Sequence, residues 1–323
     1  MTRVKKIALE EHFMTPGFQA YSKGFTQHID PAVFADLGRR LADFDELRLA
    51  EMDRAGIDIT VLSQTGPGVQ GEADPELAIT RAKQSNDFLA EQIARHPTRF
   101  AGFASLPMHD PEQAGRELER AVRELGFKGS LVNGHTHGRY YDDPAYDAFW
   151  ERMQSLDVPL YLHPTDAFVK PQVLAGHPEL DGAAWGWGVE TASHALRLLF
   201  GGVFDRFPRL KVVLGHMGEG LPFQRWRFDS RFSAYPFGVT LARKPSEYIG
   251  SNILITTSGV CSPAALAGAI AEMGGEAVLF SVDYPYESTA AAAEFIENAP
   301  MDEVTRALVC HGNAQRLFRL PIP

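Results

Sequence analysis

Glu10, His12, His163, His216, Glu219 and Asp283 are the side chains whose types and surroundings could do chemistry in this sequence. Each group closes a short apolar run. Ile-Ala-Leu leads into Glu10-Glu11-His12, Leu-Tyr-Leu into His163-Pro164, Val-Val-Leu-Gly into His216-Met217-Gly218-Glu219, and Phe-Ser-Val into Asp283-Tyr284-Pro285-Tyr286. Alternate residues of an extended segment point the same way, so Glu10 and His12 share a face while Glu11 points elsewhere. Two carboxylates and two imidazoles brought together form a mixed nitrogen and oxygen set. Such a set suits a divalent zinc or manganese ion with one coordination position open. A lone histidine at a strand end is more often a structural hydrogen-bonder than a ligand. Four ionisable groups at one rim would do nothing for an apolar core, and together they read as a metal site.

Converging such distant residues requires a particular scaffold. Short apolar, non-alternating runs at Lys6–Leu9, Ile59–Leu62, Phe100–Ala104, Gly129–Val132, Pro159–Leu162, Lys211–Leu214, Ile253–Thr256 and Ala277–Phe280 read as strands buried on both faces. Helical patterns follow them at Asp45–Ala55, Pro75–His96, Pro111–Leu125, Pro144–Ser155, Val189–Phe200, Leu221–Phe232, Pro263–Met273 and Thr289–Asn298. Asp74, Asp110 and Asp143 precede a proline and read as N-caps; Gly56 and Gly126 read as stops. Eight strand–helix units in one chain predict an α/β fold, a (β/α)8 TIM barrel forming a single domain over residues 1–323. No glycine-rich dinucleotide fingerprint follows the first strand, which weighs against an open doubly wound sheet. Two stretches, Phe13–Phe44 after strand one and Pro164–Gly188 after strand five, exceed what a barrel needs. Both leave the C-terminal strand ends, where a barrel keeps its active site, and so read as lid insertions.

Composition narrows the partners. With 31 Lys and Arg against 41 Asp and Glu, the net charge of −10 disfavours nucleic acid and anionic membranes. Two cysteines, Cys261 and Cys310, are too few for a disulfide framework or a cysteine zinc site. The apolar start of the chain is interrupted at Glu10, and no run reaches the roughly 18 residues of a membrane span. A soluble, cytoplasmic protein is the expectation.

Longer segments then carry a resemblance. These are Ala-Leu-Glu-Glu-His-Phe at 8–13, Ala-Glu-Met-Asp-Arg-Ala-Gly-Ile-Asp at 50–58, Pro-Gly-Val-Gln at 67–70 and Leu-Gly-Phe-Lys-Gly at 125–129. They continue with Leu-Asp-Val-Pro-Leu-Tyr-Leu-His-Pro at 156–164, Gly-Val-Glu-Thr at 188–191 and Leu-Gly-His-Met-Gly-Glu-Gly-Leu-Pro at 214–222. Ile-Thr-Thr-Ser-Gly at 255–259 and Asp-Tyr-Pro-Tyr at 283–286 complete them. In order and spacing the chain resembles the amidohydrolase superfamily from end to end. Within it, the chain is similar to the metal-dependent, non-oxidative aromatic decarboxylases: the γ-resorcylate, 2,3-dihydroxybenzoate and 5-carboxyvanillate enzymes. The aminocarboxymuconate-semialdehyde decarboxylase is a more distant relative.

The resemblance implies Glu10, His12, His163 and Asp283 as ligands of one divalent ion, Zn2+ or Mn2+, with His216 and Glu219 as an assisting pair. It implies Arg227 as the clamp on a small aromatic carboxylate, with Arg48, Tyr286 and Asn133 at the pocket wall, and a homodimer or homotetramer. Glu10 stands where many superfamily hydrolases have histidine, and strand four ends in Asn133 with Lys128 at its far end, so a two-metal site is not expected. The implied reaction is the reversible decarboxylation of an ortho-hydroxylated benzoate, Asp283 protonating the ring carbon before CO2 leaves. A mononuclear metal hydrolase of an amide or lactone is the alternative, and a binding-only barrel the third possibility. The 134–140 run and Tyr286 look closer to the carboxyvanillate branch than to the resorcylate one.

Other residues are read as structural. His135 and His137 sit in a glycine-flanked turn and His194 on an apolar helix face. His28, His96, His109, His177 and His311 lie beside Pro, Asp or Gly in turns. Cys261 lacks a histidine or aspartate at nucleophile spacing. Trp185 and Trp187 fill a subunit contact or face a planar substrate.

Overall fold

The computed structural model describes residues 3–21 and 29–321; His28 lies outside them. Among the described residues there are eight strands: β1 Ile7–Phe13, β2 Ile59–Gln64, β3 Phe100–Gly102, β4 Ser130–Asn133, β5 Leu160–His163, β6 Val212–Leu214, β7 Ile253–Thr256 and β8 Val278–Leu279. Every expected strand is there, and every pairing is parallel. β1-β2-β3 form one sheet and β4 to β8 another, each in sequence order. Isolated parallel bridges join Ala104 to Ser130 and Glu11 to Tyr284, so the sheets touch at both edges. The fold is α/β with parallel sheets.

Register places the chemistry. His12 lies opposite Ser63, and Asn133 opposite His163. Ile7, Leu9, Ile59, Val61, Leu131, Tyr161, Val213, Leu254 and Leu279 belong to one buried cluster to which all eight strands contribute, with Phe318 among its members. Ala8, Phe13, Leu62, Val132, Leu160, Leu162, Leu214 and Ile255 belong to the second cluster, shared with the helices. Along β1 this alternation breaks: the register with β2 slips between Ala8 and Glu11. The slip turns Glu10 and His12 to the same side as Ile7 and Leu9, a use of bulges common beside active sites.

The expected caps form. Asp74 accepts from the amides of Glu76 and Leu77, Asp110 from those of Glu112 and Gln113, and Asp143 from that of Ala145. Helices Pro263–Met273 and Thr289–Asn298 have the expected bounds. Two helices start differently. Residues 144–146 form a 3-10 turn before helix Asp147–Leu156, and residues 221–224 another before helix Arg225–Ala234. In both, a proline at the first positions tightens the entry turn. Helix Gly186–Phe200 begins three residues earlier than expected. The stretch after β1 contains helix Pro31–Ala42, capped by Asp30. Beyond Asn298 the chain adds Glu303–Ala307 and Asn313–Phe318, too short to show a period in sequence. The Asn313 amide nitrogen donates to the carbonyls of Gly275 and Val278, tying this end to β8.

Candidate metal centre and active site

The strand ends bring Glu10, His12, His163 and Asp283 together, one ligand atom of each within 4.8 Å of all the others. His12 Nε2 lies 3.2 Å from Asp283 Oδ1, and His163 Nε2 3.3 Å from Glu10 Oε1. Glu10 Oε1, His12 Nε2 and Asp283 Oδ1 are buried without a hydrogen-bond partner among the described residues. Buried polar atoms normally have partners, and three converging orphans, two from β1 and one from just past β8, call for a shared ligand. Mixed carboxylate and imidazole donors fit a divalent cation. The other ring nitrogens are tied: His163 Nδ1 donates to Pro164 O at 3.0 Å, and His12 Nδ1 is 3.2 Å from Ser63 Oγ. The bond to a carbonyl leaves His163 Nε2 as the lone pair facing the cluster, and the Ser63 hydroxyl can accept from His12 Nδ1 to do the same there. Burial, and then the neighbouring His12, push His163 well below the usual imidazole range, so it stays neutral as a ligand must. Burial raises the Glu10 carboxyl. Glu11, as alternation requires, faces elsewhere and accepts from the Val282 amide at 3.0 Å.

His216 and Glu219 stand beside this set. Glu219 Oε1 is 2.8 Å from His216 Nδ1, while His216 Nε2 faces Glu10 Oε1 and Asp283 Oδ2, both at 3.6 Å. Burial opposes the imidazolium, but Glu10, Asp283 and Glu219 outweigh it and hold His216 well above the usual range. Burial likewise opposes ionised Asp283, yet His12 and His216 beside it keep the carboxyl below the usual range. The backbone is strained here: φ is 48° at His216, 57° at Met217, 52° at Glu219 and 79° at Asp283. Left-handed non-glycine residues cost about 1–3 kcal/mol each and gather at functional sites.

Tyr286 and Asn133, expected at the pocket wall, have these surroundings. Tyr286 reaches Thr65 Oγ1, and its ring lies 5.7 Å edge-on from that of His12. Asn133 is buried, donates to Pro67 O and leaves Oδ1 unpartnered. Arg48 is tied to the backbone, with Nη1 left without a partner among the described residues. It is 1% exposed, donates to the carbonyls of His12 and Asp43, and stacks on Tyr284 at 4.3 Å. Its guanidinium braces the backbone of β1, because burial beside carbonyls demands donors to satisfy them. Arg227 lies exposed on helix Arg225–Ala234, with no hydrogen bond or ion pair to the cluster among the described residues. His135 and His137 make no metal pair: His135 Nε2 donates to Asp166 O at 3.1 Å and His137 Nε2 to Glu72 O at 2.7 Å. His194 is buried and accepts from the Tyr141 amide. Trp185 is exposed, whereas Trp187 donates to Asp166. Cys261 is exposed, its thiol raised by burial of its sulfur and by Glu287, so it is no activated nucleophile.

Three residues around Glu10 carried no expectation: Tyr161, Thr256 and Ser258. Their signal was alternation, since Tyr161 stands two residues before His163, and Thr256 two before Ser258.

The sequence matches the family described as Amidohydrolase over residues 12–320. It is 46% identical over 328 residues to a γ-resorcylate decarboxylase of Polaromonas sp. JS666, covering 98% of each chain. The crystal structure of a dihydroxybenzoic acid decarboxylase from Polaromonas sp. JS666, with bound manganese and 2-nitroresorcinol, superposes with a TM-score of 0.93 at 45% identity, covering 98% of each chain. A 5-carboxyvanillate decarboxylase of Sphingomonas paucimobilis gives 0.91 at 39%, covering 99% of this chain and 100% of that one. Whole-chain identity thus leans to the dihydroxybenzoate side, opposite to the short run at 134–140.

Proposed function

The chain belongs to the amidohydrolase family and is a metal-dependent decarboxylase; we propose that its substrate is a benzoate with a hydroxyl ortho to the carboxylate, foremost 2,6-dihydroxybenzoate. The observation that carries this reading is the convergence of Glu10, His12, His163 and Asp283 with three orphaned ligand atoms, beside the His216–Glu219 pair. These four residues would hold one divalent ion, which when bound supplies Lewis-acid chemistry toward the substrate's oxyanions. Manganese is the first choice and zinc the second.

Asp283, ionised at rest, receives a proton at Oδ2 and delivers it to the ring carbon that bears the carboxylate. The carbon–carbon bond then breaks, its electron pair returns to the ring, and CO2 leaves. His216 is the proton's source: its Nε2 lies 3.6 Å from Asp283 Oδ2, and Glu219 holds its Nδ1. At 23% exposure, the His216 side chain can be reprotonated by water. Tyr286 and Asn133 flank the substrate; the resemblance, not a contact within this chain, supports Arg227 as the carboxylate clamp.

The scaffold for this chemistry is a single-domain, closed (β/α)8 barrel, a reading supported by the two bridging pairs and the cluster shared by all eight strands. The segments after β1 and β5 act as lids. Exposed Trp226 and Phe237 support a homodimer or homotetramer, which light scattering tests; a monomer at micromolar concentration overturns it. No helix among the described residues is long and apolar enough to cross a membrane, in keeping with a cytoplasmic enzyme.

A panel of hydroxybenzoates followed by ultraviolet absorbance and CO2 release, with Mn2+ or Zn2+, tests the substrate. Turnover of 2,6-dihydroxybenzoate should exceed that of 5-carboxyvanillate; the reverse order overturns the assignment.

A further inference from the structure

We propose that Tyr161, Thr256 and Ser258 form a hydroxyl cluster that positions Glu10, tying one carboxylate oxygen so that only the other reaches the metal. The inference rests on Glu10 being a ligand.

Glu10 enters the site from β1, Tyr161 from β5 and Ser258 from just past β7. Both hydroxyls donate to the same atom, Glu10 Oε2. Thr256 Oγ1 lies between them, 2.8 Å from Tyr161 OH and 3.0 Å from Ser258 Oγ. All four side chains are buried, with at most 0% exposure, so no bulk water competes for these bonds. Glu10 Oε1, in contrast, has no hydrogen-bond partner among the described residues.

Proton counting fixes the direction of each bond. Tyr161 and Ser258 each have one proton and spend it on Glu10, so the single Thr256 proton goes to one of those two oxygens. The cluster therefore favours an ionised Glu10 and leaves Oε1 as the oxygen free to bind. Burial and the adjacent Glu10 carboxylate hold the Tyr161 phenol well above its usual range, which keeps it a donor.

Ser258 has a second task. Its Oγ accepts from the His216 amide at 3.0 Å, so one hydroxyl sets both a metal ligand and the strained turn that carries His216. Gly215 leaves room for this arrangement. A Cβ there would stand 2.5 Å from Glu10 Oε2 and 2.9 Å from Ser258 Oγ. Its backbone, at φ −72° and ψ −169°, is open to any residue, so the close approach of the carboxylate alone demands glycine.

The test uses Mn2+ alone, titrated into metal-free protein, with free Mn2+ read by electron paramagnetic resonance. Tyr161→Phe, Ser258→Ala and Gly215→Ala should each weaken Mn2+ binding about 10- to 100-fold, the range typical for partners of metal ligands. Their spectra of bound Mn2+ should change, while the melting temperatures of metal-free Tyr161→Phe and Ser258→Ala stay near wild type. Ser258→Ala should also shift the pH profile of kcat at saturating Mn2+, which Tyr161→Phe should not. Glu10→Gln is the control. If Glu10→Gln abolishes Mn2+ binding but the three variants bind within twofold of wild type, the positioning role is overturned. If Glu10→Gln binds as wild type does, the ligand assignment itself fails.

Discussion

Two regions of this molecule are rich in histidine, and only one of them is built for a metal. At the strand ends, His12, His163 and His216 face Glu10 and Asp283, and ligand atoms converge with no partner among the described residues. In the loops beside β4, one ring nitrogen of each of His109, His135 and His137 donates to a carbonyl oxygen: Glu72 O for His109 and His137, Asp166 O for His135. His109 and His137 even approach to 5.4 Å between ring centroids, yet no carboxylate oxygen stands between them in a ligating set. Spacing in sequence makes the two regions look alike. What separates them is charge and convergence: at the strand ends imidazoles are set against carboxylates, whereas the loop histidines donate to backbone carbonyls with no carboxylate facing them in a ligating set among the described residues.

Substitutions can break this comparison, beginning with the largest effect. His163→Ala should remove both metal and activity, measured by metal content and CO2 release; an active, metal-replete variant would refute the ligand set. Asp283→Asn keeps an oxygen for the metal but no transferable proton. It should retain Mn2+ and lose decarboxylation by several orders of magnitude, more than the ~10²–10⁴ typical of a general acid alone. Deuterium from solvent should then no longer enter the product ring at the vacated position. Near wild-type turnover in Asp283→Asn, with an inactive Glu219→Gln, would move the donor role to Glu219.

The second region predicts stability effects. Burial pushes His194 down to about 3, so the folded protein keeps it neutral where the unfolded chain protonates it near 6.5. The unfolded state therefore binds more protons below about pH 6.5. Stability should be full above that pH and fall progressively towards pH 3, with about 2 kcal/mol lost by pH 5 from this group. His194→Gln, which preserves an acceptor for the Tyr141 amide, should flatten that part of the melting-temperature profile; an unchanged slope would exonerate His194. The smallest effect is expected for His135→Ala with His137→Ala. Metal content and kcat should stay within about twofold of wild type, because these rings bond only to backbone groups of the loops. Loss of metal from that variant would erase the distinction between the two regions.

Much of the site was legible before the fold was known, for a local reason. Chemistry at strand ends follows directly on apolar runs, so Glu10, His12, His163, His216, Glu219 and Asp283 announce themselves by type and position. The caps Asp74 and Asp110 are equally local, since a side chain and an amide two or three residues on suffice. Residues that act through distant partners were not legible in the same way. Arg48 has the charge of a substrate clamp, but its neighbours in space are the His12 carbonyl and Tyr284, far from it in sequence. Tyr161 reads as one more apolar strand residue, and only its contact with Glu10, 151 positions away, gives it a task.

The sequence by itself determined the parallel strand–helix succession, because buried runs and helix caps are written in neighbouring residues. It also determined which groups could ligate a metal. The tertiary structure alone decided which way they face. The slip of β1 between Ala8 and Glu11 brings Glu10 and His12 to the side of Ile7 and Leu9. Strict alternation from that core phase would have sent them under the helices instead. A register slip is a property of two paired strands, and no single run of residues encodes it. The left-handed turns at His216 and Asp283 are likewise held against their local preference by the contacts around them.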